Sequence, residues 1–251
     1  MMKLGYRTRR IIIALALLGG VATWIFANPE SYDVVFDQTK NDGSDYSAIA
    51  TTEPDSTAPL ASAVLNLLEV KGRSPKTNYE REAFYNNWPT IDGCNLRQRI
   101  IKREFGDTAK FAPDDACTVI AGEYDEPYTG EHKSFDDKST ISKGIQIDHV
   151  VALSDAWQTG ADLDHMDSAT RYALATDPLN LLAVDASTNQ KKSDGDAATW
   201  LPPNKKFRCQ YVARQVSVKY KYNLWVTEAE KTAISKILTN CPNEPTIGIN
   251  L

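Results

Sequence analysis

Ile145-Gln146-Ile147-Asp148-His149-Val150-Val151-Ala152-Leu153 and Asp177-Pro178-Leu179-Asn180-Leu181-Leu182-Ala183-Val184 are the two runs on which the fold turns. Ile145 to Asp148 and Leu181 to Val184 are short apolar segments with the length and bounding polar turns of strands. Ala186 to Lys192, placed behind Asp185, reads as a helix. The expected fold class is α+β: a mostly helical domain around a small β-hairpin and its following helix.

The first strand carries an acid and an imidazole side by side at its end. Neighbouring side chains on a strand leave opposite faces, so Asp148 cannot orient His149 as the acid of a serine-protease triad does. It can instead reach a metal ion while His149 faces the water that it deprotonates. Asn180 opens the second strand. Asn189 follows nine positions later at the start of the helix, and Lys191 and Lys192 come directly after it.

In order and spacing these segments resemble the HNH, or ββα-metal, endonucleases. The wider sequence is similar to a secreted bacterial branch of that family. The likeness is carried by Gln146 to Leu153, by Asp155-Ala156-Trp157 with Gly160-Ala161, by Asp177 to Asp185, by Asp194-Gly195-Asp196 through Lys205, and by Val70 to Thr77. It covers most of residues 60 to 242, with the ββα core at about 143–196.

What the resemblance implies can be justified chemically. His149 is the general base and must be neutral to accept a proton from water. Asp148 and Asn189 hold one divalent ion through oxygen, a donor set that favours Mg2+, with Mn2+, Ca2+ and Zn2+ as alternatives. Asn180 ties the hairpin together and orients His149. Lys192 contacts phosphate, with Lys191 and Lys205 as further nucleic-acid contacts. The approach to Cys94, Thr90-Ile91-Asp92-Gly93, is shorter than in the family. That leaves Arg97 either a bidentate phosphate clamp or an exposed helical arginine.

Outward from the core, Leu60, Ala61, Val64, Leu65, Leu67 and Leu68 fall at helical spacing. Thr77 or Asn78 can cap a second helix through Tyr79, Phe84 and Tyr85, and a third begins near Cys94 and runs through Phe105. Val119-Ile120 and the region of Phe135 suit strands. Thr170 to Ala175 and Lys206 to Tyr222 suit helices, and Thr227 with Glu230 forms a capping box for the last one. His132 and His165 read as turn and loop residues, and Trp157 and Trp200 as packing residues.

The net charge of the 251 residues is -5, which by itself argues against a polyanionic partner. The acidity is concentrated between Asn28 and Thr57, however, whereas Lys191, Lys192, Lys205, Lys206, Arg208, Arg214, Lys219 and Lys221 dominate Asn189 to Tyr222. Local potential, not the total, governs phosphate binding.

Residues 1–27 have a basic start and an apolar run from Ile11 to Ala27, fitting a cleaved export signal or a retained membrane anchor. Residues 28–57 read as an acidic linker and 58–251 as the nuclease domain. Four dispersed cysteines agree with export. Of three possible pairings, Cys94–Cys117 and Cys209–Cys241 close local loops. No Gly-rich phosphate loop, nucleophile elbow or dinucleotide fingerprint occurs, so no nucleotide cofactor is expected.

The expected protein is an extracellular or outward-facing monomer that cuts DNA, with RNA as a further substrate, at low sequence specificity. Two alternatives stand beside it: a non-catalytic DNA-binding or envelope protein on the same fold, and a hydrolase of another phosphodiester.

Overall fold

A computed structural model describes residues 58–249. The export segment and acidic linker expected at 1–27 and 28–57 lie outside the described residues. Among the described residues no helix is long and apolar enough to cross a membrane.

The fold is α+β. Helix α1 (Ala61–Leu67) leads into an extended stretch, a single 3-10 turn at Arg81–Ala83, and a two-strand hairpin of β1 (Thr90–Ile91) and β2 (Cys94–Asn95). Helix α2 (Leu96–Phe105) follows, then a three-stranded antiparallel sheet of β3 (Lys110–Ala112), β4 (Asp115–Asp125) and β5 (His132–Phe135), with β4 central. Helix α3 (Lys138–Gly144) feeds β6 (Ile145–His149). After α4 (Leu153–Ala156), a π-helical turn and α5 (Ser168–Thr176), the chain enters β7 (Leu181–Asp185) and α6 (Ala186–Lys192). Helices α7 (Arg208–Lys221) and α8 (Glu228–Leu238) close the domain.

Strands β6 and β7 pair antiparallel in unbroken register, from Ile145 opposite Asp185 to His149 opposite Leu181. Asp185 ends β7 and caps α6, accepting the Thr188 amide at 2.7 Å. A side-chain acceptor at this position satisfies a helix-terminal N–H, so strand passes into helix without a loop. Lys133 of β5 reaches Asp185 at 2.8 Å, and buried Glu126 accepts the Asp185 amide at 3.1 Å. The three-stranded sheet thereby braces the hairpin from behind.

The core divides into three apolar clusters. In α1, Ala61, Val64, Leu65 and Leu68 are buried, while Leu60 and Leu67 face outward. The i, i+3, i+4, i+7 stripe is thus the true core face. Helix α2 lies on β4 because Gly122 has no Cβ: one placed there would stand 2.2 Å from the Phe105 ring.

The helix expected from Thr77 to Tyr85 is not formed beyond the Arg81–Ala83 turn. Asn78 adopts a left-handed φ of 59°. Its aromatic neighbours separate, Tyr79 and Phe84 packing on Trp157 while Tyr85 turns to Trp88 and His149. Tertiary packing here outweighs the local period.

The capping box is half made. Thr227 accepts the Glu230 amide, but the Glu230 carboxylate points inward to Lys219 at 2.9 Å. Lys219 also contacts Asp155 at 3.1 Å. Arg73 bridges Asp155 and Asp196 at 2.8 Å each. Asp155, Asp196 and Glu230 come close enough together to hold a metal, yet Lys219 and Arg73 already neutralise them. This knot fixes the Val70-to-Thr77 motif onto α4, α7 and α8. Burial raises the Glu230 carboxyl well above the usual range, against the opposing pull of Lys219.

Both disulfides have the expected pairing: Cys94–Cys117 joins β2 to β4, and Cys209–Cys241 joins the start of α7 to the residues after α8.

Candidate active site

His149 is the last residue of β6 and 4% exposed. Its Nε2 lies 2.9 Å from the Ala175 carbonyl at the end of α5. A carbonyl only accepts, so Nε2 carries the proton and Nδ1 holds a lone pair. Trp88 stacks against the ring at 5.8 Å with planes 11° apart, and Tyr85 leans on it at 5.8 Å. Burial, helped by the nearby Arg81 charge, pushes the imidazole pKa down to about 3. The imidazole is therefore neutral at physiological pH.

Asp148, one residue earlier, is buried against α6. Its Oδ1 accepts from Lys192 Nζ at 2.9 Å, and its Oδ2 accepts from the Tyr128 hydroxyl in a short hydrogen bond. Burial raises the carboxyl pKa, opposed by Lys192 and Tyr128. Burial and Asp148 together hold the Tyr128 phenol well above its ordinary value, so Tyr128 stays the donor.

Lys192 also donates to the His149 carbonyl at 2.8 Å. The phosphate contact expected of Lys192 has no support in this placement: its side chain is wholly enclosed, and an ammonium is buried only when paired. It supports the site from beneath.

Asn189 stands one turn earlier on α6. Its Nδ2 donates to Gln146 Oε1 at 2.9 Å, and among the described residues Oδ1 has no partner. Asn180 is fully buried, accepting from the Val151 amide at 2.8 Å and donating to the Val151 and Leu174 carbonyls at 3.3 and 3.4 Å. Its own carbonyl accepts the Val150 amide at 2.8 Å. Asn180 thus binds the turn after His149 to the segment before β7 and does not touch the cavity.

A cavity of about 630 Å³ opens over this group. Asp148, His149, Asn189, Gln146 and Arg97 border it, together with Arg81, Tyr85 and Trp88. Arg97 donates to the Ile145 carbonyl at 3.0 Å. Burial lowers its pKa, and it forms no ion pair among the described residues. A half-buried guanidinium with no carboxylate suits an incoming anion.

Lys191 and Lys205 are exposed but do not border the cavity. The basic stretch is not a surface stripe. Lys192 and Lys219 are buried in ion pairs, Lys221 pairs with Asp177 at 2.8 Å, and Arg214 donates to the Leu179 carbonyl at 2.9 Å. His132 is exposed beside Asp125, and His165 pairs with Asp162, both away from the cavity.

Arg81, Tyr85, Trp88 and Tyr128 join the site from sequence positions far from the two motifs. No local signal marked them, because their relation to His149 and Asp148 exists only once the chain is folded.

Sequence comparison places the chain in a nuclease class. The profile of GmrSD restriction endonucleases, C-terminal domain, matches residues 96–237, more than half of the chain, which belongs to that family. The chain is also similar to a protein of Arthroderma benhamiae named "Uncharacterized secreted protein". The two are 34% identical over 202 residues, 77% of this chain and 93% of that one. No solved structure matches.

Proposed function

We propose that the protein is an exported, metal-dependent HNH-type endonuclease acting on DNA, and on RNA as a further substrate, with His149 as general base. One observation carries the reading. His149 is neutral, its Nε2 proton is committed to Ala175, and its Nδ1 is left for a cavity shared with Asp148, Asn189 and Arg97.

Asp148 and Asn189 are the oxygen donors at the cavity for the expected metal. Each Asp148 oxygen accepts one protein hydrogen bond, while a carboxylate offers about four lone-pair sites, so acceptor capacity remains. Asn189 keeps Oδ1 uncommitted, and both residues border the cavity. The pair would offer oxygen donors to a hard ion that retains several waters, with Mg2+ preferred, and such an ion would share Asp148 with Lys192. When bound, such an ion supplies electrostatic stabilisation of the phosphoryl oxygens and the leaving oxygen.

The chain's own residues do the rest. His149 Nδ1 takes the proton of the attacking water, and the Ala175 carbonyl stabilises the imidazolium that results. Trp88 and Tyr85 shield the ring from bulk water. Arg97 holds a phosphate through its free donors. Asn180 is a positioning residue, since it fixes the turn that sets the His149 ring.

Export rests on the basic, apolar start of the chain, on two disulfides, which persist in oxidising compartments, and on the likeness to a protein named as secreted.

A second reading, a nucleic-acid-binding protein without turnover, is favoured by the Lys192 ammonium lying 2.9 Å from Asp148, where it competes with a cation. Plasmid nicking by the oxidised full chain separates the two, with Mg2+, Mn2+, Ca2+ or Zn2+ supplied in turn beside EDTA and His149→Ala controls. Cleavage that needs metal and disappears in the variant supports the nuclease; binding with no cleavage under any ion supports the second reading.

A further inference from the structure

We propose that Arg81 is a second phosphate-gripping residue of this site, brought to it with Tyr85 and Trp88 by a segment that precedes the family-matched region. The inference deepens the nuclease reading and rests on it.

Three observations point to it. Arg81 borders the same cavity as Asp148, His149 and Asn189, and it is exposed, so an incoming phosphodiester can reach it. Among the described residues it has no carboxylate partner, whereas Arg73 and Arg103 are each paired with acids. It is nevertheless held in place. Its Nη2 donates to the Tyr85 hydroxyl at 2.6 Å, and its guanidinium carbon sits 5.3 Å over the Tyr85 ring.

An aromatic face and one phenol oxygen orient a guanidinium without neutralising it. The remaining donors keep the planar fork that matches phosphate oxygens. The holder is itself part of the site, because Tyr85 rests on His149. Arg81 is also near enough to His149 and Asp148 to act on both through its charge.

The two arginines approach from opposite ends of β6. Arg97 is anchored on Ile145, the first residue of the strand, while Arg81 is held by Tyr85, whose ring rests on His149, the last. At roughly 3.3 Å per residue those ends are about 13 Å apart. The two arginines are thus tied to opposite ends of the strand that carries Asp148 and His149, an arrangement that suits a continuous phosphodiester backbone better than an isolated phosphate. The family profile begins at residue 96, so Arg97 lies inside the matched region and Arg81 outside it.

The test uses the oxidised full chain with Arg81→Gln and Arg81→Lys. Nicking kinetics are measured in the otherwise native protein. Binding of a short fluorescent DNA duplex is measured by anisotropy over a salt series in EDTA, in the His149→Ala background. Arg81→Gln is expected to lower kcat about 100-fold, the scale of losing one preorganised charge at the transition state, with an unchanged unfolding temperature. Its salt slope for duplex binding should fall by about one. Lysine should restore more of the binding than of the rate, because it lacks the fork.

An Arg81→Gln protein that binds with the native salt slope overturns the proposal, whether or not the parent cuts. A parent that binds without cutting overturns the catalytic reading and leaves Arg81 to be decided by the binding arm. A parent that neither binds nor cuts overturns both.

Discussion

Lys192 Nζ lies 2.9 Å from Asp148 Oδ1, with the lysine side chain completely enclosed. Desolvation offsets much of the attraction in such a pair, but removing one partner strands the other as a buried charge. Lys192→Met is therefore expected to cost about 3–5 kcal/mol in urea unfolding, and adding Asp148→Asn should recover most of the loss. A surface phosphate contact predicts the reverse: native stability and weaker, salt-dependent DNA binding.

The depressed pKa of His149 gives stability a defined pH dependence. The unfolded imidazole titrates near 6.5, the folded one at about 3. Between those values the unfolded chain binds a proton that the folded chain does not, so stability falls as pH is lowered. The slope is about 1.4 kcal/mol per pH unit for this residue. Taking the difference between wild type and His149→Ala at each pH cancels the other groups. A flat difference between pH 6.5 and 4 would mean that the ring is solvated and protonates in the folded state.

Asn180 makes three side-chain hydrogen bonds with no contact to the cavity. Asn180→Ala should cost about 1–3 kcal/mol for the buried groups left unpaired. It should also lower kcat with little change in KM, because the turn that sets His149 loosens while the phosphate contacts persist. Full kcat in this variant would separate Asn180 from catalysis.

The two disulfides close loops with sequence separations of 23 and 32 residues. Replacing either pair with serine should lower unfolding stability by about 3 kcal/mol. The Cys94–Cys117 pair should have the larger effect on activity, since Cys94 immediately precedes the cap of α2, the helix that carries Arg97. Equal activity in both serine variants would show that α2 is held by its apolar face alone.

Much of the framework is local and can be read from the chain. The strand at Ile145, the strand at Leu181 and the helix behind Asp185 are each fixed by their own composition and caps, whereas their antiparallel register, between runs buried on both faces, is set by the fold. The core stripe of α1 is likewise a short-range fact, whereas the disulfides join cysteines 23 and 32 residues apart, a pairing chosen among three.

Side-chain roles were less legible, because a motif names residues and not their partners. Lys192 and Lys219 belong to a basic stretch in the sequence, and only folding shows that both ammonium groups are buried against carboxylates distant along the chain. Glu230 has the spacing of a capping residue but is drawn inward by Lys219. The Tyr79-to-Tyr85 segment has the period of a helix, yet its aromatic rings gain more from separate contacts with Trp157 and His149. The sequence by itself determined the two short strands, the helix behind Asp185 and the place of His149 at a strand end, since these depend on local composition and caps. Only the tertiary structure decided which cations face the cavity and which are enclosed, because charge burial depends on partners that the fold alone brings within reach.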